Sequence, residues 1–272
     1  PITISAPNGR VTVERRPTRV VSLSPTATEI LFAIGAGSQV VAVDENSNHP
    51  ANAPGTKLSG LNTNIEALAT YDPDLVVYSS TSADLDPSLK AIRVPGILQP
   101  AARSLNDTYR QIDQLGVATG HRERAREVVN KMKSEITRIV ESRPRFSRHL
   151  TYYHEIDETH FTATSDTFIG QIYGLLGLIN IADEADKDGS GYPQLSAEYI
   201  IKANPDLIFL ANTKCCGQSA RTVAARPGWH QIRAVKGGGT IALDDDIASR
   251  WGPRSVDFLR SAADALKSYR PV

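Results

Sequence analysis

Between His121 and Glu141 the chain contains neither glycine nor proline. Ala125, Val128, Val129, Met132, Ile136 and Ile139 follow one another there at intervals of 3, 1, 3, 4 and 3, which puts them on one face of a helix. At the α-helical rise the segment makes a rod of about 30 Å. Arg143-Pro144 stops it, because proline lacks the amide that a further turn needs. An amphipathic rod of this length in mid-chain must join folded structure on either side.

Both flanks read as alternating strands and helices. Before the rod, strands are expected at 19–24, Val40–Val43, Leu75–Tyr78 and Gly96–Leu98, with helices from Pro25, over Ile65–Tyr71 and around Pro87–Ile92. Ser24 suits an N-cap, Pro25 the first helical position and Gly35 the left-handed residue at the end. After the rod, strands are expected at Leu150–Tyr153, His160–Ala163, Leu207–Leu210 and Thr240–Leu243. Helices are expected from Asp166 to Leu176, over Ala197–Ala203 and over Pro253–Tyr269. Alternation of this kind builds parallel sheets. The expected fold class is therefore α/β: two Rossmann-like lobes (1–118 and 144–272) joined by a backbone helix at 119–143, with a ligand cleft between the lobes.

The halves echo each other. Glu66 precedes Pro73-Asp-Leu75 by seven residues, and Glu198 precedes Pro205-Asp-Leu207 by the same spacing. The Ser24–Gly35 helix is echoed, in the same order, by Asp166–Gly177. Gly35-Ala-Gly37 follows a helix, so it is not the phosphate loop of a dinucleotide fold, which lies between strand and helix. Lysine plus arginine and aspartate plus glutamate each number 30. That balance gives no surplus of cations for nucleic acid. No stretch approaches the ~20 apolar residues that span a bilayer.

These motifs carry a resemblance. Ser22-Leu-Ser-Pro-Thr-Ala-Thr-Glu-Ile-Leu31, the Glu66…Pro-Asp-Leu75 segment and its echo Glu198…Pro-Asp-Leu207, with the rod between them, resemble the class III, helical-backbone solute-binding proteins of ABC importers. These are receptors for vitamin B12, ferric siderophores and haem, and the resemblance covers nearly all of residues 10–268. It implies an exported, monomeric protein, periplasmic or held on the cell surface as a lipoprotein. Such a protein carries a metal chelate to a membrane permease, without catalysis and without a cofactor of its own. It also implies that Glu66 and Glu198 dock onto permease arginines. On residues alone, each is equally a carboxylate offsetting a helix dipole. Family haem receptors often carry a tyrosine just after the glycine matching Gly60; here Leu61 stands there, which counts against haem held that way. The expected order of solutes is corrinoid, ferric siderophore, haem.

Strand ends and the loops after them supply the candidate solute contacts. Tyr78, Tyr153, Trp251 and Tyr192 are aromatics able to cover a flat chelate. Arg103 and Arg250 suit acidic groups, and His49 lies in the polar loop after the second strand. Cys215 and Cys216 are the chain's 2 cysteines and are adjacent, either a vicinal disulfide or free thiols. His154-Glu155…His160 has the wrong spacing for a helical zinc motif. The competing reading is an α/β enzyme, a metal-dependent hydrolase or a thiol redox protein built on Cys215-Cys216.

Overall fold

The structure, a computed structural model, describes residues 1–79 and 85–270. It divides into two compact units, Pro1–Lys133 with Trp251–Pro253, and Ser134–Arg250 with Arg254–Val272. The division falls inside the long helix.

The first unit opens with an antiparallel hairpin, β1 (Ile2–Ala6) and β2 (Gly9–Val13). Then come β3 (Val20–Leu23), α1 (Pro25–Ala33), β4 (Val40–Val43), α2 (Ile65–Ala69), β5 (Leu75–Tyr78), α3 (Leu85–Ala91), β6 (Gly96–Leu98) and α4 (Leu105–Thr119). The long helix is α5 (Arg122–Glu141). On it Ala125, Val129, Met132 and Ile136 are buried, as the spacing required.

The second unit holds β7 (Thr151–Glu155), α6 (Phe168–Gly174), β8 (Ile179–Asn180), α7 (Ala197–Ala203), β9 (Leu207–Leu210), α8 (Thr213–Cys216) and α9 (Ala220–Ala224). It ends with α10 (Arg233–Lys236), β10 (Thr240–Ala242), α11 (Asp245–Ser249) and α12 (Ser255–Ser268).

Each unit has a four-stranded parallel sheet, ordered β4-β3-β5-β6 in the first and β10-β9-β7-β8 in the second. Numbered by occurrence within its own sheet, each runs 2-1-3-4. The sequence echo is therefore a repeat of topology. Its Pro-Asp-Leu motif has a mechanical role. The Asp74 carboxylate accepts from Thr18 N (2.8 Å), Thr18 Oγ1 (3.1 Å) and Arg19 N (2.9 Å). Asp206 accepts from Thr151 N (2.9 Å) and Thr151 Oγ1 (3.2 Å). Each aspartate thus pins the start of the third strand to the start of the first, setting the register of the central pair. Asp206 adds a guanidinium: Arg148 reaches both oxygens at 2.7 Å.

The segment 160–163 is not a strand. His160 takes a left-handed φ of 71°, and only Phe161 forms a bridge, to Gln194. The α6 helix is capped by Thr167, whose hydroxyl accepts from Gly170 N, one residue beyond the expected Asp166.

Candidate functional site

In a parallel sheet every strand ends on the same edge, and the crossover helices run back from that edge. Ligands of open α/β sheets bind there.

Glu66 and Glu198 lie on those edges. Asn64 caps α2 through Ala67 N (2.9 Å), and Ser196 caps α7 through Tyr199 N (3.1 Å). Each glutamate is the second residue of its helix, and both are exposed. Two topologically equivalent helices thus carry a carboxylate at the same position, next to unsatisfied amides that favour the anion.

On the first unit's edge, Gly60 approaches so near that a Cβ would meet the Leu23 carbonyl oxygen at 2.8 Å, which bars any side chain without movement. The neighbouring Leu61 is 59% exposed. His49, exposed, precedes a cis Pro50 in the loop after β4. Arg103 is exposed, and its backbone amide donates to Asp107 Oδ2 (2.9 Å) in the capping box that starts α4. Trp251 is half-buried against the same helix. Its Nε1 donates to Gln111 Oε1 (3.0 Å), and its carbonyl accepts from Thr108 Oγ1 (2.7 Å).

On the second unit's edge the polar groups are largely engaged with one another. Glu155, at the end of β7 and fully buried, receives Arg226 through two bonds of 2.6 and 2.7 Å and Asn212 Nδ2 at 2.9 Å. The Arg226 guanidinium lies 4.5 Å from the Trp229 ring centroid and donates to Gln218 Oε1 (2.8 Å). Cys215 and Cys216, on α8, are joined as a vicinal disulfide. Tyr192 is 47% exposed in the loop before α7.

The three aspartates at 244–246 each hold a partner. Asp244 caps α11 through Asp246 N and Ile247 N. Asp245 accepts from Thr213 N (2.8 Å), Lys214 N (2.8 Å) and Cys215 N (3.0 Å), so it caps α8 from another element. Lys214 bridges Asp244 and Asp246. Arg250 is 9% exposed and pairs with Asp246 at 3.1 Å.

Residues 20–247 match the family described as periplasmic binding protein. The chain belongs to that family. It is 32% identical to the uncharacterized ABC transporter substrate-binding lipoprotein YvrC of Bacillus subtilis, over 98% of this chain and 85% of that protein. It is 28% identical to the cobalamin-binding protein of Halobacterium salinarum, over 96% of this chain and 72% of the other. Among solved structures, a possible iron-binding (periplasmic solute-binding) protein of Staphylococcus epidermidis superposes with a TM-score of 0.80 at 28% identity, covering 92% of this chain and 99% of that one. Two parallel α/β units in one chain are what this family's fold requires.

Two expected solute contacts are core residues instead. Tyr78 and Tyr153 have no exposed surface, because β5 and β7 are interior strands of sheets covered on both faces. The Tyr78 hydroxyl donates to Asp86 Oδ1 (3.1 Å) and accepts from Asn8 Nδ2 (3.3 Å); burial, then the Asp86 carboxylate, raises its pKa. Tyr153 packs with Leu210, Val223 and Trp229. Burial raises its pKa as well. Arg250 is mostly enclosed by its ion pair. His154 packs against Tyr173 and Phe258, whereas Glu155, the next residue, faces Arg226. Successive strand residues face opposite ways, so these two side chains do not converge on a metal. Among the described residues no group of three or more His, Cys, Asp or Glu side chains is placed to hold one, and no helix is long and apolar enough to cross a membrane.

The expected residues fall into two sets. His49, Glu66, Arg103 and Trp251 belong to the first unit, and Tyr192, Glu198, Cys215 and Cys216 to the second. Within the second, the disulfide helix and the Arg250 segment are brought together through Asp245 and Asp246. Sequence reasoning missed Phe161, 39% exposed on the loop after β7, because 160–163 read as strand. It also missed Asp245, whose partner lies in a distant loop and leaves no local signal.

Proposed function

We propose that this chain is the solute-capturing component of an ABC importer, working outside the cytoplasmic membrane. It binds a bulky metal chelate and passes it unchanged to the membrane permease. The reading includes export, a lipid anchor as in the Bacillus relative, and action as a monomer, and it assigns no catalytic residue. The observation that carries it is the matched pair Glu66 and Glu198: exposed carboxylates at the second position of equivalent helices, one on each of two units with the same strand order. A permease can use such a pair as an orientation key, since rim charges set specificity and encounter more than raw affinity.

The chelate we favour is a corrinoid, followed by a ferric siderophore and then haem. The cobalamin-binding relative supports the first, and the possible iron-binding structural neighbour keeps the second close. Leu61 in place of a tyrosine counts against haem ligated from that position. Each unit by itself offers exposed or half-exposed apolar groups for such a contact, Leu61 and Trp251 on the first and Phe161 and Tyr192 on the second.

The test is titration of the purified chain with cyanocobalamin, ferrichrome and haemin, followed by tryptophan fluorescence and cargo absorbance. We expect reversible 1:1 binding of one of them, with its spectrum restored on release. Failure to bind any of the three, or recovery of a chemically altered cargo, refutes the reading.

A further inference from the structure

The vicinal disulfide has no part in the docking argument, yet the fold holds it with unusual care. It sits on α8, a short helix leaving the C-terminal end of β9, one of the two central strands of its sheet. Asn212, the residue before α8, does not cap it. Asp245 does so instead, with three backbone amides and the Thr213 hydroxyl (2.8 Å) on one carboxylate. Gly217, with φ 64°, ends the helix in a conformation that suits glycine. From the other side Gln218 Nε2 donates to the Cys216 carbonyl (3.3 Å), while its Oε1 accepts from Arg226, itself locked on buried Glu155.

Two further observations bear on this place. Asn212 is fully buried, and its Oδ1 has no hydrogen-bond partner among the described residues. A fold keeps such an orphan at a cost of about 1–3 kcal/mol, and local rules are broken in this way at functional sites. Second, the charges around α8 are mutually neutralised: Lys214 by Asp244 and Asp246, Arg226 by Glu155, Arg250 by Asp246. What the loop presents to solvent without a charge partner is the sulfur pair, with Cys215 exposed.

We propose that the Cys215–Cys216 disulfide is a solute-contacting and specificity-determining surface, on which an apolar or conjugated face of the chelate rests. Divalent sulfur is polarizable and makes favourable contacts with aromatic groups. A disulfide between neighbours has no rotamer freedom left to lose on binding, so its contact carries little ordering cost. This inference rests on the receptor reading above.

The test uses the full chain. Cyanocobalamin, ferrichrome and haemin are titrated into the wild type and into Cys215→Ala/Cys216→Ala, with the thermal transition of each recorded. In parallel, wild-type protein is reduced by a phosphine, which takes oxygen from water to become its oxide while the disulfide becomes two thiols. The phosphine is removed by gel filtration under argon before titration. As the chain has only these 2 cysteines, any change belongs to this pair. We expect at least a fivefold loss of affinity in the variant, a loss in the same direction on reduction, and no response of the variant to reductant. If the variant does not fold, the reduced wild type gives the answer alone. Wild-type binding that neither substitution nor reduction changes overturns this inference and leaves the receptor reading standing. Absence of wild-type binding to all three probes takes down both.

Discussion

Asp206→Asn is expected to destabilise the second unit by about 3 kcal/mol. The Asp206 side chain has no exposed surface. Its oxygens receive Arg148 twice at 2.7 Å, the Thr151 amide and hydroxyl, and Tyr269 Oη at 3.2 Å, with Arg233 at 3.5 Å. Burial alone would raise this carboxyl; the Arg148 and Thr151 hydrogen bonds and the Arg233 charge outweigh it and bring the pKa to about 2. A carboxyl lowered from 3.8 to about 2 on folding contributes about 2.5 kcal/mol at neutral pH. Asparagine loses that, and it turns an NH₂ group toward donors that had an acceptor, at about 1 kcal/mol more. Arg148 is 45% exposed and can turn to water, which keeps the total at the low end of the ~3–5 kcal/mol for breaking a buried pair. Asp74, holding the equivalent place without a guanidinium, is the internal control: Asp74→Asn should cost about 1 kcal/mol. Urea unfolding followed by far-UV circular dichroism reads both, and about 3 kcal/mol moves the midpoint by roughly 1–3 M. Because the folded pKa is depressed, the wild type's advantage is complete above 3.8 and disappears as pH falls through about 2; the variant has no such loss. Equal midpoints for Asp206→Asn and wild type at pH 7 would refute the pinning argument.

Further outcomes are expected. Burial holds the His154 imidazole down at a pKa of about 3, so the unfolded chain binds the extra proton first. Stability should therefore fall as pH drops from about 6.5 toward 3, by up to about 5 kcal/mol, and melting curves of His154→Phe should show a shallower acid limb. Glu66→Ala with Glu198→Ala should leave solute affinity unchanged and abolish uptake in proteoliposomes carrying the cognate permease; weakened solute binding would contradict the docking role. Trp251→Ala should weaken solute binding at least tenfold, about 1.4 kcal/mol, by fluorescence-independent calorimetry. Gly60→Ala should destabilise by about 1–3 kcal/mol, because the added methyl meets the Leu23 carbonyl, and a thermal scan checks this.

The α/β alternation was legible because buried parallel strands are short apolar runs and their helices carry caps such as Ser24 and Ser196. The β1–β2 hairpin is equally legible: Ile2, Ile4, Val11 and Val13 alternate about the two-residue turn Pro7-Asn8, with Gly9 following it. The α4 helix is signalled too, by Ser104 and Asp107, which form its capping box. What the sequence withheld was chiefly the direction of side chains. Tyr78 ends β5 and Tyr153 lies inside β7, and only the folded chain shows that both faces of these strands are buried. Asp245 looks like one of three surface acids until the fold brings Thr213 to it. The left-handed turn at His160 is invisible in a run of β-forming residues.

The membership of Trp251–Pro253 in the first unit has a consequence for biosynthesis. That unit's strands and α4 leave the ribosome first, whereas the segment whose carbonyl and indole hold Thr108 and Gln111 follows only after every strand of the second sheet. A nascent chain halted before that point presents α4 with these two partners missing. The finishing contact of the early half thus comes from a segment made after the second sheet, and synthesis of that whole sheet becomes a condition for sealing the domain that was born first.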